Sequence, residues 1–200
     1  MSVAVQSPLV GFESGSQPVD GMCGVHFEEL AGDHFFNLRI DPEEASLLDQ
    51  VNDALGLSLP LQANTCCRSE ALMLYWMGPD EWLIRMVDKD ALDRIAKLKS
   101  VLEGHFASLV DNSSGLTVLR VSGDGADYVL RQGMVFDIHA REFSEGQCTQ
   151  TVLAKTGITL SVAGTNENRV FELVIRRSFA DYAMHFLRDA AVTIGYQLKV

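Results

Sequence analysis

The sequence predicts an α+β fold of duplicated β-α-β-β-α units, with helices laid over antiparallel-rich sheets. Three observations predict it. Apolar runs of strand length alternate with segments whose apolar residues recur every three or four positions. Tight-turn signals join consecutive strand-like runs, which pairs them antiparallel. The same order of elements occurs twice, over about 34–104 and about 108–200, as a duplication would give.

Residues 1–24 are rich in Gly, Ser and Pro and lack periodicity, so they read as an extended N-terminal arm ahead of a single duplicated domain at 25–200. The arm is apolar at Val3, Val5, Leu9, Val10, Phe12, Val19 and Met22 and carries only two charges, Glu13 and Asp20. That is too apolar for a solvated tail. The expectation is an ordered strap on a partner, with packing on the chain's own sheet as the alternative. Regular structure is expected to begin with a strand over Phe35–Ile40.

Asp41-Pro42-Glu43-Glu44 then has the form of a helix start, with a capping Asp, Pro in the first turn and a Glu able to bond back. Leu47, Leu48, Val51 and Leu55 follow at helical spacing and Gly56 is a stop signal. The stretch LMLYWMGPDEWLIRM, residues 72–86, holds two apolar runs around Gly78-Pro79-Asp80-Glu81. Pro79 suits the second position of a β-turn and Asp80 the third, so a hairpin is expected. Asp88 or Asp90 caps a second helix bearing Leu92, Ile95, Leu98 and Leu102 on one face.

In the second unit Leu116–Ser122 reads as a strand. Asp124 starts a short helix with Ala126, Val129 and Leu130, ended by Gly133. Val152–Val162 and Val170–Ile175 read as strands joined by a turn over 164–168. Ser178-Phe179-Ala180-Asp181 resembles a capping box, and Tyr182, Phe186, Ala190 and Ile194 form an apolar stripe before Gly195.

Composition narrows the function classes. The chain has 200 residues and a formal charge of −11, from 16 basic and 27 acidic residues. Such a surface repels phosphate backbones and anionic lipid, which sets aside nucleic acid and membranes as partners. The N-terminus has neither a basic n-region nor an h-region of signal-peptide length, so a cytoplasmic protein is expected. Cys23, Cys66, Cys67 and Cys148 make no CxxC pair and read as free thiols. No metal-ligand spacing connects them to His26, His34, His105, His139 or His185.

No catalytic residue and no cofactor-binding motif stands out. Ser122-Gly123-Asp124-Gly125-Ala126 sits between a strand and a helix, but Tyr128 occupies the place where a dinucleotide fingerprint needs Gly or Ala. Asp80 and Glu81 are adjacent turn acids, which are ordinarily solvated rather than poised for proton transfer. Arg176 and Arg177, at a strand end beside a helix start, are the candidates for an anion site. Their alternative is a pair of surface arginines.

Several stretches carry a resemblance. SPL at 7–9, FNLRID at 36–41, LGLSLP at 55–60, WMGPDEWL at 76–83, VDNSSGLTVLRVSG at 110–123, DIHAREFSEGQCTQTVLAK at 137–155 and FELVIRRSFADYAMHFLRDAA at 171–191 resemble the gamma subunit of heterotetrameric sarcosine oxidase. The resemblance runs in order over nearly the whole chain. It implies a complex with alpha, beta and delta subunits that converts sarcosine, oxygen and tetrahydrofolate to glycine, hydrogen peroxide and methylenetetrahydrofolate. It also implies that FAD, FMN, NAD, zinc and the folate site belong to the other subunits, and that this chain packs chiefly on alpha. The fold implied is that of the folate-binding aminomethyltransferase domain.

Active aminomethyltransferases carry a Gly-Gly-x-x-Asp-Asp-type strand. The corresponding stretch here is Thr156-Gly157-Ile158-Thr159-Leu160-Ser161, with Leu160 and Ser161 in place of the acids. The resemblance therefore implies a non-catalytic subunit. The alternatives are a freestanding folate-binding one-carbon protein and a scaffold in an oxidase of another N-methyl amine.

Overall fold

A computed structural model of the chain describes residues 6–87, 91–164 and 168–200, without the side chains of residues 91 and 92. The proposed caps Asp88 and Asp90, the arm residues Val3 and Val5 and the centre of the turn at 164–168 lie outside the described residues. The chain is α+β and divides into two compact units, Asp33–Ser114 and the N-terminal segment to Gly32 joined with Gly115–Val200.

The strands are β1 (Gly15–Gln17), β2 (Val25–Leu30), β3 (His34–Arg39), β4 (Cys66–Arg68), β5 (Leu72–Gly78), β6 (Glu81–Met86), β7 (Ser108–Asp111), β8 (Leu116–Ser122), β9 (Cys148–Leu153), β10 (Thr156–Ala163), β11 (Val170–Arg176) and β12 (Tyr196–Lys199). The helices are α1 (Ala45–Leu55), α2 (Ala91–Leu102), α3 (Ala126–Arg131) and α4 (Arg177–Ala191). Among the described residues no helix is long and apolar enough to cross a membrane.

In the unit Asp33–Ser114 the sheet order is β4-β5-β6-β3-β7 and every pairing is antiparallel. Phe36, Leu38, Leu72, Leu74, Trp82 and Ile84 share one core with Leu47, Val51, Leu55, Ile95 and Leu98 of the two helices. Helix α1 begins at Ala45, later than its signal. Asp41 does accept a main-chain bond, from Glu43 N–H at 2.9 Å, but it forms a turn ahead of the helix rather than its cap. Glu44 does not bond back; its carboxylate lies 2.8 Å from His105 Nδ1. Gly56 closes α1 in the left-handed conformation, its N–H donating to Asn52 O.

The other unit has the order β1-β12-β2-β8-β11-β10-β9, antiparallel except for β12 with β2. The duplication is visible in the topology. β3-α1-β4-β5-β6-α2 and β8-α3-β9-β10-β11-α4 run through the same places, with sheet orders β4-β5-β6-β3 and β9-β10-β11-β8. Each of these six-element runs has one strand more than expected, β4 in the first and β9 in the second. β7 follows α2 and pairs with β3, so it belongs to the first repeat and not to the second. In the second repeat β2 takes the place beside β8, which moves β12 one place outward.

As far as it is described, the N-terminal segment is part of this unit. Leu9 is fully buried and Phe12 nearly so, both in the core with Phe27, Val121, Phe171, Met184 and Leu187. β1 adds to β12 at the sheet edge. Burying these two side chains contributes about 1.5–3 kcal/mol each relative to leaving them in solvent.

Other boundaries also moved. Val152–Val162 is two strands, because the chain turns at Ala154 and Lys155 and pairs Leu153 with Thr156. Ala154 has φ +52°, which an alanine rarely adopts. Helix α4 starts at Arg177, with no side-chain cap, so Ser178 lies within the first turn and no capping box forms. Its buried face is Ala180, Ala183, Met184, Leu187 and Ala191; Tyr182 remains on the surface. Alanines let α4 approach the sheet closely, so the buried stripe is rotated from the bulky one read in the sequence.

Candidate functional site

The β5–β6 hairpin forms at the expected place, Gly78 opposite Glu81, with an irregularity between Trp76 and Gly78. Its two acids face partners. Arg39 Nη2 lies 3.3 Å from Asp80 and 3.5 Å from Glu81. Asn37 Nδ2 donates to Glu81 at 2.7 Å. Asp80 borders a groove of about 510 Å³ with Arg39, Asp41 and Phe106. Trp82 is fully buried and donates from Nε1 to Pro60 O at 2.8 Å, which anchors the connector before β4.

The glycines at 123 and 125 have a packing role. A Cβ on Gly125 would come within 2.3 Å of Ile194 Cδ1 and 3.0 Å of Gly24 O. Gly123 combines φ +97° with a Cβ position 2.8 Å from Gly24 O. Gly125 N–H donates to Gly24 O at 2.7 Å. The turn is therefore filled by the chain's own backbone, and Gly125 rather than Asp124 precedes α3.

Arg176 and Arg177 lie at the start of α4. Arg176 is exposed. Arg177 donates its guanidinium to Gln6 O and its N–H to Gly115 O. One of the two anion-site candidates thus holds the N-terminal segment in place.

Leu160 and Ser161 are both fully buried on β10. Leu160 points into the helix-side core with Leu119 and Leu173. Ser161 is on the other face, directly opposite Cys148 and Glu172, and its hydroxyl has no partner among the described residues. Neither side chain ionises in the range where a carboxylate would act.

The same row of the sheet continues as a charge ladder that the sequence reading missed. Glu172, Arg120, Glu28 and Lys199 are cross-strand neighbours on β11, β8, β2 and β12. Arg120 binds Glu172 at 2.9 Å and Glu28 at 3.2 Å, and Lys199 reaches Glu28 at 2.5 Å. The Lys199 hydrogen bond and the two cations outweigh partial burial and hold the Glu28 carboxyl below its ordinary value of 4.5. Asp111, in β7, behaves similarly. Burial pushes it up, but the Ser113 hydroxyl and N–H, with His34 and Lys99, bring it below 3.8.

Two further buried charges hold loops. Arg169 binds Asp127 at 2.9 Å, donates to the carbonyls of Ile138 and Phe143 at 2.7 and 2.6 Å, and lies over the Phe171 ring. Glu29 accepts from Thr117 Oγ1 at 2.9 Å and from Ser7 Oγ. Lone charges inside apolar strands, as in TVLRVS and FELVI, were the available signal for Arg120 and Glu172. None of the four cysteines is in a disulfide, and the described residues contain no metal-ligand cluster.

Residues 39–193 match the family described as sarcosine oxidase, gamma subunit family. Sarcosine oxidase subunit gamma of Corynebacterium sp. (strain P-1) is 30% identical over 139 residues, covering 69% of this chain and 66% of that protein. The subunit of the same name from Arthrobacter sp is 31% identical over 138 residues, covering 68% and 66%. The matched region spans just under two thirds of these relatives' own length. A chain of heterotetrameric sarcosine oxidase from Corynebacterium sp. U-96, solved in complex with pyrrole 2-carboxylate, matches with a TM-score of 0.77 and 26% identity over 84% of this chain and 85% of that one. Glycine cleavage system aminomethyltransferase T from Bartonella henselae matches with a TM-score of 0.64 and 13% identity over 88% of this chain and 48% of that one, a likeness of fold. The chain belongs to the sarcosine oxidase gamma subunit family.

Proposed function

We propose that this chain is the non-catalytic gamma subunit of a heterotetrameric sarcosine oxidase. The complex oxidises the N-methyl group of sarcosine, releasing glycine and hydrogen peroxide and passing the one-carbon unit to tetrahydrofolate. Alpha, beta and delta subunits are its partners, and the main contact is with alpha. FAD, FMN, NAD and zinc reside in those partners, and the assembly works in the cytoplasm.

The observation that carries the non-catalytic role is the fate of the acid positions. Leu160 fills the core and Ser161 is a buried hydroxyl, so neither can stabilise a developing cationic carbon as a carboxylate does. The other acids with a catalytic reading, Asp80 and Glu81, are held by Arg39 and Asn37. Arg177 serves the chain's own architecture through Gln6 and Gly115. Membership of the gamma family and the aminomethyltransferase-like fold support the complex as the setting.

Co-purification tests the reading. An affinity-tagged copy expressed in the native host is expected to bring down three further chains with a flavin spectrum. The chain expressed alone is expected to be colourless and to give no sarcosine-dependent peroxide. Recovery of the chain alone from the host, or stoichiometric tetrahydrofolate binding by the isolated chain, would favour the freestanding one-carbon protein instead.

A further inference from the structure

A second cavity, of about 520 Å³, lies at the β1 edge of the seven-stranded sheet, lined by the chain from Gly11 to Gln17 with Arg188, Tyr196 and Leu198. Arg188 is held there in a fixed pose. Its Nε donates to the Tyr196 hydroxyl at 2.8 Å. Its guanidinium carbon lies 5.4 Å from the centroids of both the Phe12 and the Tyr196 rings. The His185 ring lies tilted against Phe12 with centroids 4.8 Å apart. No carboxylate of the described chain forms an ion pair with Arg188, although Glu13 is part of the lining. Two ring faces and one hydroxyl therefore orient a guanidinium without neutralising it, and its two Nη groups are left for a ligand.

We propose that this cavity is a carboxylate-binding site in which Arg188 is the anchoring residue. A planar guanidinium with both Nη groups free matches the two oxygens of a carboxylate. A multiply charged anion such as phosphate fits less well, because Glu13 is in the wall and the chain carries −11 overall. The neighbouring wall is β1, whose three residues are exposed and whose outer edge is unpaired in the sheet. An extended peptide ending in, or carrying, a carboxylate can bond that edge while its acid meets Arg188. A small free acid would use Arg188 alone. The inference stands on this geometry and does not depend on the assembly proposed above.

Nuclear magnetic resonance of the isotopically labelled full chain tests it with three probes: the tripeptide N-acetyl-Ala-Val-Ala as the free acid, its C-terminal amide, and sodium acetate. The expected result is a saturating shift of the Arg188 Nε–H signal and of the Gly15–Gln17 amides with the tripeptide acid. The amide form should bind about ten- to hundredfold more weakly, the loss of a charge-assisted pair. Acetate saturating as tightly as the tripeptide, without moving the β1 amides, would still support the site but make its ligand a small free acid. No saturating shift at Arg188 with any carboxylate would overturn the proposal. So would an Arg188→Gln chain with a native amide spectrum that binds the tripeptide acid as tightly as wild type. Tyr196→Phe keeps the ring and removes the hydroxyl, and it should weaken binding severalfold without unfolding the chain.

Discussion

At the scale of single residues, the charges that resemble chemistry prove to hold the fold, and their removal should be read in stability. Trp82 is fully buried with its indole N–H satisfied, so Trp82→Ala should cost about 3–5 kcal/mol in urea unfolding. Asp80→Asn, in an exposed turn beside Arg39, should cost less than about 1 kcal/mol. Arg169→Met should cost about 3–5 kcal/mol, since it leaves the Ile138 and Phe143 carbonyls and the Asp127 carboxylate without their donor. A wild-type unfolding midpoint for Arg169→Met would show that the loop over 133–147 is held by something else. Of these side chains Asp80, in its turn, and Trp82, in an apolar run, could be placed from the sequence, and Arg169 could not. A buried arginine depends on carbonyls brought to it from other segments, and no local pattern records them.

At the scale of elements, legibility followed turn chemistry and side-chain size. The β5–β6 hairpin was readable because Gly78-Pro79-Asp80 has the required backbone preferences. The β9–β10 hairpin was not, because its turn uses Ala154 at φ +52°, a residue that signals no turn. β2 was missed because Glu29 stands at a core-facing position and is tolerated only through Ser7 and Thr117. The N-terminal segment was read as an arm because Leu9 and Phe12 follow no period, although both are buried. Hydrogen exchange of the chain alone should therefore show protection of the Phe12 N–H, which donates to Leu9 O at 2.8 Å. Exchange at the random-coil rate would return this segment to the status of a strap.

The charge ladder across β11, β8, β2 and β12 gives a pH dependence whose sign is fixed. The Glu28 carboxyl is lowered in the fold, first by Lys199. Its contribution is therefore present above about pH 4.5 and lost as pH falls through the folded value. Glu28→Gln should flatten the fall of stability below pH 4.5 in acid-unfolding curves and leave the curve near pH 8 with the same slope. An unchanged acid limb would show that the ladder does not couple to folding.

At the scale of the whole molecule, the duplicated α+β plan was legible because each repeat carries its own alternation of strand and helix signals. Its partition was not, since β2 and β12 enter the second sheet from opposite ends of the chain and sequence order hides that. For the site, the sequence held the informative point, Leu160 and Ser161 at positions where the resemblance implies two acids. The structure added where those side chains go. It also added the cavity at Arg188, which joins residues 11–17 to 188 and 196 and has no signature in any one stretch.

The central claim is that the chain supports an oxidase without taking part in its chemistry. It is tested most directly by sarcosine-dependent peroxide formation in the assembled complex carrying Asp80→Asn, Glu81→Gln, Arg176→Gln and Arg177→Gln together. The account predicts a kcat within about twofold of wild type wherever the tetramer forms. A fall of about a hundredfold in an intact tetramer, equivalent to about 2.7 kcal/mol of transition-state stabilisation, would contradict it.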